Sequence, residues 1–506
     1  MLDSVPQSSM PIRIASPAGR GLLFAAVLAS GMVFLDATVV NVALPHIGRG
    51  LDAEVSGLQW TIDGYLLTLA AFVLLGGALG DRYGRRRVFL IGVFCFTAAS
   101  VLCGLAQNIE WLIAARFLQG VGGALLTPGS LSLIQASFHP ADRGKAIGAW
   151  SGFSGVSTAL GPLLGGWLID ALSWRWIFFI NVPLAVVVVL AALRWAPESR
   201  AADTASRAGD TASRATAGAG GAMVGAGGRA GPRFDVTGAA LGAVGLAGIT
   251  FALIEASQRG GASEVMAPVA GGVGLLAAVA FVLLERRKGN AAMLPPRLFR
   301  RRLFAVLNIY TVVVWASLNG FSFFLSVQLQ NVAGYSALKT GLANLPMTVL
   351  LLVGSPRAGA LAARIGPRLP LTVGPVIATG GLLLLRGIGP HANFWTDVVP
   401  GVFLFGLGLT MVVAPLTASV LAAAEDRFAG VASGFNNAAS RAGGVLAIAA
   451  LPLLVGLSGA AYRMPTELAQ AFRAAMLWCA GLMVCGALLA LFLIRQPDRE
   501  RREADD

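Results

Sequence analysis

Apolar residues run in stretches of about 20 along most of this chain, and polar residues gather in short breaks between them. A helix of that length covers roughly 30 Å of hydrocarbon. No segment shows the in-and-out alternation over about ten residues that a membrane β-strand requires. The pattern predicts fourteen membrane-crossing helices: 21–47, 57–79, 88–106, 109–136, 146–168, 176–195, 236–256, 265–284, 303–329, 341–362, 369–387, 395–422, 430–457 and 470–494. Residues 196–235 interrupt the series with Ala, Gly, Arg, Ser and Thr and the doubled text Asp203–Ala208 and Asp210–Ala215. That composition cannot bury a core and predicts a flexible linker. A second break, 285–302, is basic.

Composition agrees with an all-α integral membrane protein. Of 506 residues, 56% are hydrophobic and 12% charged, against a charged share of about 25% in soluble domains. The first apolar run is too long for the core of a signal peptide, so it reads as a retained span. An even number of spans puts both termini on one side. If that side is the cytoplasm, about 28 of the 38 Lys and Arg residues lie inside and about 7 outside, as the positive-inside rule requires of a plasma-membrane protein. Topology therefore accounts for the net charge of +13, and nucleic acid is not an expected partner. Cys95, Cys103, Cys479 and Cys485 all fall within apolar runs and read as small core residues, with no disulfide framework and no metal site.

One polar break occurs twice. Gly77-Ala-Leu-Gly-Asp81-Arg82-Tyr-Gly84-Arg85-Arg86-Arg87 follows span 2, and Gly359-Ala-Leu-Ala-Ala363-Arg364-Ile-Gly366-Pro-Arg368 follows span 10 in the same register, 282 positions later. The chain thus divides into a tail (1–20), a six-helix bundle (21–195), the linker (196–235), two extra spans (236–284), the basic loop (285–302), a second six-helix bundle (303–494) and a charged tail (495–506). Repeated halves are how many secondary transporters build alternating access around a midplane site. Asp81 can meet a helix N-terminus or an arginine and hold the cytoplasmic side shut in one state, although Ala363 replaces the acid in the second copy.

Three charges lie deep in spans of the first half: Asp36, about 15 residues or roughly 22 Å into span 1, Asp63 in span 2 and Arg116 in span 4. Each costs several kcal/mol in lipid unless paired or hydrated, so the three are expected to face an interior cavity as a coupled set. Protonation of Asp36 or Asp63 would then change its attraction to Arg116 and bias two conformations.

Gly77-x-Leu-x-Asp81-Arg82-x-Gly84-Arg85-Arg86 resembles the signature loop of the major facilitator superfamily. Leu35-Asp36-Ala-Thr-Val-Val-Asn41-Val-Ala-Leu-Pro45 resembles the first-span motif of its 14-spanner drug/proton antiporter branch. Arg116-Phe-Leu-Gln119-Gly-Val-Gly-Gly123-Ala124 resembles that branch's span-4 motif, whose arginine is associated with proton transfer. Trp174-Arg-Trp-Ile-Phe-Phe-Ile-Asn181-Val-Pro183 resembles a further hallmark. In span 5, Gly155, Gly161, Pro162, Gly165 and Gly166 supply small residues for close helix approach and a backbone break. They resemble the antiporter motif, which implies export. The resemblance implies two six-helix bundles plus two helices, working as a proton-coupled exporter of drugs or antibiotics.

Asn41, Trp315, Asn319, Phe323, Asn344 and Asn436 are candidates for a substrate cavity. With no acid in the middle of spans 9 to 14, neutral, monocationic or amphipathic compounds are expected there. Arg441, well inside span 13, needs a partner or a cavity. No phosphate-binding loop of the Gly-x-x-x-x-Gly-Lys-Ser/Thr form is present, and no nucleophile stands at catalytic spacing from a base, so neither ATP nor enzymatic chemistry is expected, and no cofactor. The expected partners are protons, a small organic substrate and lipid, with the chain acting as a single copy. Uptake or facilitated diffusion of a metabolite, and a non-transporting membrane sensor or scaffold, stay open on the residues alone.

Overall fold

The computed structural model describes residues 12–199, 235–256, 263–289, 296–424 and 429–494. Among the described residues thirteen helices are long and apolar enough to cross a membrane. A further one, bent by 47° between Val73 and Leu75, completes fourteen. They are α1 (Pro17–Gly50), α2 (Val55–Tyr83), α3 (Arg85–Gly104), α4 (Ile109–Ser137), α5 (Pro140–Ala171), α6 (Trp176–Trp195), α7 (Val236–Glu255), α8 (Ser263–Lys288), α9 (Arg302–Asn331), α10 (Ala337–Ile365), α11 (Arg368–Leu385), α12 (Phe394–Ala423), α13 (Ala429–Leu454) and α14 (Pro465–Leu493).

Local chemistry sets their ends. Ser16, Asn108, Asp235 and Ser336 each accept a hydrogen bond from a first-turn N–H of α1, α4, α7 and α10. Several helices outrun their apolar stretches: α5 begins at Pro140 rather than 146 and α14 at Pro465 rather than 470. Polar first turns continue the backbone ladder beyond the hydrocarbon, which apolarity alone does not register. The bend in α2 was not foreseen. Most of the linker, 200–234, and the terminal tails 1–11 and 495–506 lie outside the described residues, whereas Ala196–Ser199 are ordered against the basic turn after α2. The basic loop is part helix: α8 runs on to Lys288, and Pro296–Arg300 form a short helix before α9.

Packing repeats with a shift of eight helices. Within the first half α1 packs on α5 and α6, and α4 on α2 and α3. Within the second, α9 packs on α13 and α14, and α12 on α10 and α11. The halves meet through α2 on α13 and α5 on α10, two seams related by the same exchange. Helix α7 lies against both α2 and α13 and so covers the first seam, with α8 packed on α7.

The two ends of the molecule differ. At the end remote from the termini, one apolar core runs from Leu35–Ile62 of the first half through Phe321–Leu329 and Leu468–Met483 of the second. Toward the terminal end the first half has a separate core of its own, including Leu22, Phe89, Phe96 and Phe138. Among the described residues, hydrogen bonds joining the halves sit at the remote end. Gln59 donates to the Ile448 carbonyl (2.7 Å) and Gln330 to that of Val42 (2.8 Å). Asp170 accepts from the N–H groups of Ala337 and Leu338, and Arg463 binds Asp52 and the carbonyls of Gly48 and Ala53. Helix α5 reports the same gradient along one stripe. A Cβ at Gly166 would lie 2.5 Å from the Ala337 carbonyl oxygen, whereas one at Gly155, Gly152, Gly148 or Gly144 would meet nothing within 4 Å. The halves touch at one end and diverge toward the other.

Candidate functional site

The centre of the first half is a sealed polar network. Asp36 of α1 and Arg116 of α4 are 0% and 1% exposed. Arg116 Nη1 donates to Asp36 Oδ2 at 2.5 Å and to Gln119 Oε1 at 2.8 Å, while Gln119 Nε2 donates to Asp36 Oδ1 at 2.8 Å. Arg116 Nε donates to the Thr61 carbonyl of α2, and the guanidinium lies 4.2 Å above the Tyr65 ring. Gln119 and Asn181 both reach Ser100 Oγ, which donates to the Phe178 carbonyl, so α3 and α6 join the same network. The polar groups of a buried ion pair need this degree of satisfaction if the pair is to be tolerated.

Sequence reasoning joined Asp36 and Arg116 correctly but not their surroundings. The pair is enclosed within the first half instead of facing a cavity. Asp63 is not a third member: it is buried, and neither carboxylate oxygen has a hydrogen-bond partner among the described residues. Its neighbour Thr61 supplies the α2 contact through a backbone carbonyl, which a search for charged side chains passes over. Gln119, Tyr65 and Ser100 were missed as site residues. Gln119 was signalled by its position one helical turn after Arg116, and Asn181 by its place in the tryptophan-rich motif.

At the basic turn, Asp81 pairs with Arg85 of its own turn (2.8 Å) and, among the described residues, with none of the other half. Arg86 donates to the Ala196 carbonyl, and Glu198 accepts from the Arg86 N–H, which clamps the turn to the end of α6. Gly84 has φ +115°, and a Cβ there would lie 2.7 Å from Glu198 Oε1, so glycine is required. Arg82 and Gly77 make no further polar contact among the described residues. In the second copy Gly366 has φ +85° and Arg368 donates to the Leu491 carbonyl of α14. Arg86 and Arg368 thus tie the third helix of each half to its sixth.

The glycines of α5 divide into two groups. A Cβ at Gly161 would collide with Thr38, and one at Gly165 with Val39, both of α1, while Gly166 abuts α10 and the Pro162 carbonyl faces Gly341. Gly155 was grouped with them but stands in open space.

The proposed cavity residues separate likewise. Phe323 is core, packed edge-on to Phe324 in the closed remote end. Asn344 is buried, donates to the Thr340 carbonyl and interrupts α10. Asn41 and Asn319 donate to carbonyls of their own helices, and Trp315 packs on the core. Asn436 crosses from α13 to Asn308 Oδ1 (3.2 Å) and Thr311 Oγ1 (2.7 Å) of α9. It holds two helices of the second half together.

A membrane-spanning protein of two repeated six-helix halves, with a buried charge network in one, defines a class, and comparison with known proteins supplies the family. The sequence profile of the Major Facilitator Superfamily matches residues 26–448, and the chain belongs to that family. It is 35% identical over 458 residues to a probable actinorhodin transporter of Streptomyces coelicolor, covering 87% of this chain and 75% of that one. It is 32% identical over 521 residues to the puromycin resistance protein pur8 of Streptomyces alboniger, covering 100% and 96%. It is 35% identical over 421 residues to the multidrug resistance protein Stp of Mycobacterium tuberculosis, covering 83% and 73%. Among solved structures, a bacterial homologue of the human lysosomal transporter Spinster superposes with a TM-score of 0.63 at 17% identity, covering 95% of this chain and 97% of that one, a likeness of fold. The family makes this chain a multi-pass membrane transporter and not an enzyme.

Proposed function

We propose that this protein exports small organic compounds, drugs or antibiotics among them, across the plasma membrane in exchange for protons, with both termini in the cytoplasm. The observation that carries the reading is the sealed Asp36–Arg116–Gln119 network in one half of a molecule whose halves are joined at one end only. Relatives that carry the names of actinorhodin, puromycin and multidrug resistance support export of such compounds.

With the termini inside, the described conformation opens to the cytoplasm and is closed outside by Gln59, Gln330, Asp170 and Arg463. Substrate enters between α5 and α10, along the stretch where the α5 glycines meet nothing. Moving to the outward-open state requires the remote-end hydrogen bonds to break and the diverging ends to close. In that closed state Asp81, here paired within its own turn, is free to cap a helix of the other half. A proton on Asp36 removes the charge that Arg116 and Gln119 hold, and the α1–α4 contact weakens. Binding of a proton to one conformation in preference to the other is what couples the gradient to the cycle. Asp63, buried without a partner, is a second proton site.

The test is a susceptibility panel of structurally unrelated antibiotics on cells expressing the chain or the Asp36→Asn variant, at matched membrane abundance. Resistance raised by the unaltered chain, lost on adding an uncoupler and lost in the variant, is the expected result. Resistance unchanged by both uncoupler and variant would remove proton coupling.

A further inference from the structure

We infer that Arg441 receives the anionic oxygen of the exported compound, so that the site is built for organic anions bearing a carboxylate or an ionised phenol on an apolar body. This rests on the export reading above and names its substrate class. Arg441 lies on α13, and the geometry fixes its direction. Asn436 and Gly443, seven residues apart on one side of the helix, pack on α9. Ile448, two turns beyond Arg441 on the other side, meets Gln59 of α2. Arg441 therefore points across the α2–α13 seam toward the first half.

Arg441 is half-buried yet makes no hydrogen bond or ion pair among the described residues. A cation held at this depth without a counter-charge is costly and marks a ligand path. The one buried acid on the facing helix that no other group holds is Asp63 of α2, and it makes no hydrogen bond to Arg441 among the described residues. The acids of α9–α14 are Asp397 and Glu467, both in the first turn of a helix at the remote end. Asp36 already receives Arg116 and Gln119. The pair of Asp36 and Arg116 is neutral as a unit, and with a proton on Asp63, the second proton site proposed above, Arg441 leaves one uncompensated positive charge at the seam. Two turns above it the Gln59 bond closes the remote side, and one turn above it the Asn319 amide of α9 packs on Gly444. The absence of acids, which suggested neutral or monocationic compounds from sequence, points to anions once an unpaired guanidinium faces the path. A planar guanidinium binds a carboxylate in bidentate fashion, which lysine cannot reproduce.

The test measures fluorescein, an aromatic carboxylate, and ethidium, an aromatic cation, binding to the purified full chain by anisotropy, alongside their export in cells. Fluorescein is expected to bind the unaltered chain at least about tenfold more tightly than Arg441→Gln, with Arg441→Lys intermediate and ethidium binding the same in all three. Asp63→Asn is expected to bind fluorescein as well as or better than the unaltered chain. Equal fluorescein binding with and without Arg441, or none by the unaltered chain, would overturn the proposal. So would a loss in Asp63→Asn as large as in Arg441→Gln, which would make Arg441 the counter-charge of Asp63. Fluorescein bound through Arg441 but not exported would leave the anion site standing and defeat the export reading instead.

Discussion

The two halves share one packing plan and carry different chemistry on it. Each joins its third helix to its sixth through an arginine and turns on a glycine with positive φ, Gly84 in one and Gly366 in the other. At the centre they diverge. The first half holds an ion pair fed by Gln119, Thr61 and Ser100, whereas in the second the Asn436 amide donates to both Asn308 and Thr311. Duplication therefore preserves the mechanical parts, and of the two copies only the first buries carboxylates, Asp36 and Asp63, among the described residues. A proton taken up by one half and not the other changes the balance between them, which a symmetric charge set would do less effectively.

The largest expected effect breaks this contrast directly. Arg116→Gln leaves Asp36 buried without its cation, which costs about 3–5 kcal/mol, while Asn436→Ala removes neutral hydrogen bonds worth about 1–2 kcal/mol. Thermal unfolding in detergent should rank the two in that order, and equal losses would mean that the two centres are energetically alike. Next come the turns. Gly84→Ala and Gly366→Ala each force a side chain into a backbone region that costs about 1–3 kcal/mol. Gly84→Ala should be the worse because its Cβ also meets Glu198. Unfolding temperatures of the two variants, and of their Glu198→Ala counterparts, would show whether that collision matters.

The α5 seam gives a third comparison within one helix. Gly166→Val should prevent closure at the remote end and abolish transport with the protein still in the membrane, because its side chain would enter the α10 backbone. Gly155→Val should leave the described conformation unaffected and slow only the step that brings the terminal ends together. Trapping each variant by cysteine cross-linking across α5 and α10 distinguishes them. The smallest effect concerns the extra helices. Burial alone would raise the Asp235 carboxyl, but hydrogen bonds from Lys288 and the Gly238 N–H hold it below the usual carboxylate range. A depressed carboxyl stabilises the folded state above its ordinary value and loses that contribution as the pH falls through the folded one. The α7–α8 contact should therefore loosen in acid, and Asp235→Asn should remove that acid dependence, as read by hydrogen exchange in α7.

The helices and the doubled turn were legible because hydrophobic length and a repeated glycine are local properties of the text. The Asp36–Arg116 pair was legible because both charges lie at matching depth, where lipid tolerates them only in company. Asp63 satisfied the same depth rule and was misplaced. Depth does not specify which side of a helix a residue occupies, and Arg116 reaches α2 through the Thr61 carbonyl instead. Phe323 and Asn344 were expected in a cavity and lie in packed surroundings, since an aromatic or amide side chain has the same spacing whether it lines a path or fills a core. Gly155 and Gly166 share a stripe but not an environment, because divergence of the halves is a property of the whole fold.

The central claim is that Asp36 in the first half takes the proton that drives export. In proteoliposomes of the full chain, an imposed pH gradient should drive fluorescein movement by the unaltered protein. Asp36→Asn should lose that gradient-driven movement while still binding fluorescein by anisotropy. Movement that follows the gradient equally well in Asp36→Asn would contradict the claim.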